Sequence, residues 1–69
     1  MKETTRAVYE EAVLRVQMHM HRTLDDPFDP NGIAMAAGFS RFHLSRLFSA
    51  ITGESLLEYR RRLLFERAA

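Results

Sequence analysis

A chain of 69 residues, 46% hydrophobic and 28% charged, has the material for one small domain with a modest core. The absence of cysteine excludes a disulfide framework and a thiolate metal site, and it suits a reducing, cytoplasmic setting. No apolar run approaches the roughly 18 residues of a membrane span, and the opening MKETTRAVYEE lacks the apolar stretch of a secretion signal, so a soluble domain with no membrane partner is expected.

The first helix is expected over about residues 5–23. Tyr9, Val13, Val16, Met20 and Leu24 recur every three or four residues and form one apolar stripe, with Glu11, Arg15 and Arg22 opposite. The segment DDPFDP (25–30) then breaks the helix, because its two prolines cannot both continue it. A short second helix over 30–37 begins at once. Asp29 caps it, Pro30 takes the first helical position, Phe28 staples to Ile33, and Gly38 ends it in a left-handed turn. Its alanines are small enough to let another helix approach closely.

The same local grammar sets the third helix, over 41–52. Ser40 caps it, Phe39 staples to Leu44, and Gly53 closes the far end. Only Gly38-Phe39-Ser40 separates it from the second helix, which is the length and glycine content of a helix-turn-helix. A fourth helix, over about 55–68, opens on the capping box Ser55-Leu56-Leu57-Glu58 and meets no stop signal. No strand pattern or repeat is present. The fold class is therefore all-α: one helix-turn-helix domain over residues 1–69, with a homeodomain-like three-helix core and a C-terminal helix.

The third helix has two faces. Leu44, Leu47, Phe48 and Ile51 fall on one side, where a core can take them, and Phe42, Ser45, Arg46 and Ser49 fall on the other. Charge is uneven as well. Residues 1–39 carry four cations against six anions, and residues 40–69 carry six against three, with arginine supplying nine of the ten cations. Arginine suits bidentate contact with phosphate and guanine, although an ordinary solvated surface has such charges too.

The combination V13..V16..H19-M20, I33-A34....G38-F39-S40, L44-S45-R46-L47-F48 and G53-E-S55...Y59, with a terminal A68, resembles the AraC/XylS family of bacterial transcription regulators. The likeness spans about residues 9–68, and the run from Ile33 to Tyr59 is its specific part. It implies a helix-turn-helix subdomain followed by most of a linker helix, with a second helix-turn-helix subdomain and an effector-binding domain downstream. The ending RRRLLFERAA resembles the subset in which a GyrI-like domain follows. Three positions depart from the family pattern: Pro30 stands for a leucine, Gly32 is an unusual helix residue, and Leu64 occupies the place of a linker arginine.

In a helix-turn-helix the second helix of the motif enters the major groove with its N-terminal residues toward base edges. Phe42 can then pack on a thymine methyl and Arg46, one turn on, can take guanine O6 and N7. Ser45 and Ser49 share that face, and Arg41 at the flank suits the phosphate backbone. The resemblance also implies base contacts on this helix. Ser40 and Ser55, at helix N-termini, and Asn31 are candidates for phosphate. The bland alternative leaves Phe42 folded onto a neighbouring loop. Arg60, Arg61 and Arg62 point to three sides of the fourth helix, with one of them solvated or paired to Glu58 or Glu66, and are not base readers.

No cofactor or metal site is expected. His19 and His21 in MHMH (18–21) face about 160° apart on a helix and cannot share a metal, while His43 reads as a packing or hydrogen-bonding histidine. No nucleophile, base and orienting acid stand at workable spacings, so an enzyme is not expected. The rival class is a helical interaction module. Leu56, Tyr59 and Leu63 make one stripe of the fourth helix, whereas Leu57, Leu64 and Ala68, with Phe65 further round, make a second that wants a partner such as another copy of the chain.

Overall fold

A computed structural model describes residues 2–68. Four helices follow one another: α1 (Lys2–Arg22), α2 (Pro30–Ala37), α3 (Arg41–Thr52) and α4 (Leu56–Ala68). No strand occurs among the described residues, and no described helix is long and apolar enough to cross a membrane.

Local chemistry sets the short helices where the sequence predicts them. Asp29 Oδ1 accepts from the Gly32 amide at 3.1 Å, and Pro30 follows as the first helical residue. Gly38 adopts φ +82°, and the amides of Gly38 and Phe39 close onto the carbonyls of Met35 and Ala34 at 3.1 and 2.9 Å. That pair of bonds is a Schellman cap, which satisfies the last carbonyls of α2 and turns the chain. Ser40 then caps α3 through a bond from the His43 amide, and Gly53, at φ +83°, ends it with a single bond to the Ser49 carbonyl.

The ends of the long helices shift. α1 begins at Lys2 rather than near residue 5, and an Arg6–Glu10 pair supports its early turns. It stops at Arg22, where the Thr23 hydroxyl bonds back to the His19 carbonyl at 2.9 Å. α4 begins at Leu56, since Ser55 is its cap rather than its first residue.

The core is one cluster fed by all four helices: Val13, Val16 and Met20 of α1, Ile33 and Ala34 of α2, Leu44, Leu47 and Phe48 of α3, and Leu56, Tyr59 and Leu63 of α4. Phe28 and Phe39, the staple residues, pack partly buried against it, as does Tyr9. Phe48 and Tyr59 meet edge to face at 5.5 Å, and His21 Nε2 lies 3.2 Å from the Tyr59 hydroxyl, tying α1 to α4. Two expectations change. Ile51 is 38% exposed, at the edge of the α3 core face rather than within it. Leu64 is half-buried against the core instead of lying on an uncovered stripe, leaving Leu57, Phe65 and Ala68 as the exposed residues of that face.

Three arginines of α4 fix the turns around it. Arg60 donates to the carbonyl of Asp26 at 2.8 Å and more weakly to that of Leu24, and stacks over Phe28. Arg67 pairs with Asp25 at 2.6 Å. Arg62 pairs with Glu54 at 2.7 Å and with Glu66 at 3.3 Å, over the Tyr59 ring.

Candidate nucleic-acid interface

The N-terminus of α3 is held from three directions. The Schellman turn fixes its approach, Ser40 caps it, and the His43 ring stands edge-on to Phe39 at 5.0 Å and to Tyr9 at 6.1 Å. Leu44 and Phe48, both 0% exposed, anchor its inner side. Helix direction and rotation are thus set by contacts that leave the outer side free. His43, exposed yet in contact with two rings, is a positioning residue that the sequence showed only as a packing histidine.

Arg41, Phe42, Ser45, Arg46 and Ser49 are all exposed. Phe42, at 78%, does not fold onto a neighbouring loop. Phe42 and Arg46 are one turn apart, so an apolar ring and a guanidinium project side by side. Ser49 is engaged differently: its hydroxyl donates across 3.4 Å to the Glu54 carbonyl and helps to close the α3–α4 turn. Thr52, whose hydroxyl bonds the Phe48 carbonyl at 2.7 Å, packs into the same turn.

The phosphate candidates also separate. Ser40 and Asn31 are exposed near the starts of α3 and α2. Ser55 is half-buried, and its amide is spent on Glu58 Oε1 at 2.8 Å while its hydroxyl accepts from the Glu58 amide. A carboxylate therefore sits at the start of α4. The Ser55 bonds, aided by Arg61, hold that carboxyl below its ordinary pKa, so it stays charged there. Tyr59 moves the other way, since burial pushes its phenol up.

The cations differ in what they touch. Arg6, Arg15, Arg62 and Arg67 are in ion pairs, and Arg60 is bonded to carbonyls. Arg22, Arg41, Arg46 and Arg61 appear in none of these pairs; of them Arg41 and Arg46 lie on α3, which contains no acidic side chain. The helix start, which itself favours anions, thus carries two uncommitted guanidinium groups. None of the tertiary bonds of Arg60, Arg62 and Arg67 was visible in the sequence, apart from the i, i+4 spacing of Arg62 and Glu66.

Residues 32–61 match the model of the bacterial regulatory helix-turn-helix proteins, AraC family. The match runs from Gly32 in α2 through all of α3 to Arg61 in α4, and it includes the stretch from Ile33 to Tyr59 that carried the resemblance. No solved structure matches the chain. Four helices without a strand among the described residues, a three-residue turn between α2 and α3, and this match agree: residues 32–61 form a helix-turn-helix region similar to that of the AraC family of bacterial regulatory proteins, which supports a DNA-binding regulatory role.

Proposed function

We propose that α3 reads duplex DNA sequence-specifically from the major groove, with Phe42 against a thymine methyl and Arg46 on a guanine. Ser45 lies between them on the same face, and Arg41 with Ser40 and Asn31 holds the flanking phosphates. Ser49 and Ser55 enter through the turn they close, each being hydrogen-bonded within the α3–α4 region. The observation that carries this reading is that the exposed side of α3 serves no packing role and presents two unpaired arginines beside an exposed aromatic ring. The test is anisotropy titration of labelled duplexes of varied sequence across a salt series. Sequence preference with a steep fall in affinity as salt rises supports the reading. Uniform, salt-insensitive binding, or none, removes it.

In the longer regulator that the family resemblance implies, a second helix-turn-helix subdomain and an effector-binding domain follow downstream. A second reading, a helical interaction module that pairs two copies through α4, is favoured by one feature: Phe65 is 76% and Leu57 41% exposed on its outer side. Sedimentation over a concentration range separates it from the DNA reading, because an interaction module self-associates and ignores duplex DNA.

A further inference from the structure

α2 buries Ile33 and Ala34 and leaves Ala36 exposed beside α1. Where the two helices meet there is a hollow of about 210 Å³, whose lining includes Arg15, Met18, His19, Arg22, Ile33 and Ala36. His19 and Ile33 also line a larger hollow of about 610 Å³ toward the α1–α2 loop, so the two adjoin as one groove. Met18, in the lining of the smaller hollow, is 54% exposed. A flexible methionine at an exposed groove suits a surface that repacks around another chain.

We propose that this α1–α2 groove docks an acidic amphipathic helix of a partner protein. Charge selects that occupant. The smaller hollow is lined by two arginines and no carboxylate, whereas Asp26 and Asp29 stand with Arg60 around the larger one, so the acidic face of the occupant lies over the smaller hollow. Arg22 makes no ion pair among the described residues, and the pair that Arg15 makes with Glu11 is exposed at both ends, so it exchanges at little cost. Arg15 and Arg22 are seven residues apart, two turns of α1, or about 10.5 Å along its axis. A docking helix with carboxylates at i and i+7 meets both, and apolar side chains at i+3 and i+4 then fall on Met18 and the small surface of Ala36. No residue of α3 lines either hollow, so the groove is separate from the proposed reading face and can be filled while DNA is bound.

The test uses the 69-residue chain, isotopically labelled, and a synthetic helical peptide of about four turns with glutamates at i and i+7 and leucines at i+3 and i+4. Its control replaces both glutamates by lysine. The expected result is saturable amide shifts confined to residues 14–22 and 33–37, unchanged when duplex DNA is present, with the lysine peptide binding at least ~10-fold more weakly. Arg15→Glu with Arg22→Glu should reverse the preference between the two peptides. Ala36→Gln, an uncharged bulkier side chain at an exposed position that leaves the core intact, should weaken binding of the glutamate peptide without changing DNA affinity. Equal binding of both peptides, or shifts centred on α3 or α4, overturns the proposal. So does a fall in DNA affinity and salt dependence in the double variant, which assigns these arginines to the DNA backbone.

Discussion

Asp29 and Gly32 share one small volume. Asp29 Oδ1 accepts a hydrogen bond from the Gly32 amide, and a Cβ added to Gly32 would overlap Asp29 Oδ2. The unusual helix glycine is therefore coupled to the cap that starts the helix. Gly-to-Ala inside a helix ordinarily stabilises by up to ~1 kcal/mol, and loss of an aspartate cap costs ~0.5–2 kcal/mol. Gly32→Ala should thus be close to neutral in the parent chain, since the carboxylate must swing away from its bond. In the Asp29→Ala background it should be clearly stabilising, with a coupling of roughly 1 kcal/mol in a urea double-mutant cycle. Additive effects would mean that the carboxylate relaxes freely.

Removing side chains from the outer side of α3 should change DNA binding and leave the fold alone. Arg46→Ala is expected to lose ~1–3 kcal/mol at a preferred duplex and to relax discrimination at one guanine. Phe42→Ala should flatten preference at one thymine while nonspecific affinity holds. Competition with single-base variants of the duplex, alongside thermal melting, checks both.

The inner side behaves oppositely. Leu44→Ala and Phe48→Ala remove side chains that are 0% exposed, at an expected ~2–5 kcal/mol each. Total stability for a chain of this length is on the order of 3–10 kcal/mol. Helical signal by circular dichroism should therefore be strongly reduced at room temperature, and an unaltered melting curve for Phe48→Ala would contradict the packing described.

Glu58 supplies a pH dependence. The backbone bond from Ser55 and then the Ser55 side chain lower its pKa in the fold, outweighing desolvation, with a lesser contribution from Arg61. A carboxyl whose folded pKa is depressed stabilises fully above its unfolded pKa, and that contribution is lost as pH falls through the lower folded value. Ser55→Ala should move the Glu58 titration upward toward the ordinary glutamate range by side-chain carboxyl NMR. Glu58→Gln should differ in stability from the parent at neutral pH and converge with it in acid.

The exposed part of α4 sets the association state. With Leu57 and Phe65 uncovered and Arg67 held by Asp25, α4 should keep its last turn and pair with a second copy at high concentration. Phe65→Glu should then restore a monomer by sedimentation. A parent chain that is monomeric at every concentration would show that these residues need no cover from another copy.

What was legible in the sequence was what short-range chemistry decides. Asp29 with Pro30, Gly38, Ser40 and Gly53 marked both ends of α2 and α3, because a cap is a contact between residues three to five apart. The outer side of α3 was legible for a related reason: its periodicity left Phe42 and Arg46 where no core could use them. The start of α1 was not legible, as Thr4 and Thr5 offer cap-type residues inside what proves to be helix from Lys2. Arg60 with Asp26, Arg67 with Asp25, and Arg62 with Glu54 were hidden because nothing local requires them; each forms only after α4 lies across the earlier turns. Ile51 and Leu64 were misjudged by the same limit, since a helical wheel shows which way a residue points and not how far the neighbouring helix extends.

The two-sided character of α3 also bears on how such a protein changes over generations. The positions that hold the helix, Leu44, Leu47 and Phe48, alternate with positions that hold nothing, Phe42, Ser45 and Arg46. If α3 reads DNA as proposed, a substitution at the second group alters which bases are favoured without unfolding the domain, so operator preference is free to drift while the scaffold stays fixed. Ser49 is the exception, because its hydroxyl also closes the next turn. New target sequences are therefore most accessible through the first two turns of this helix, and lineages that diverge in regulation should differ there first.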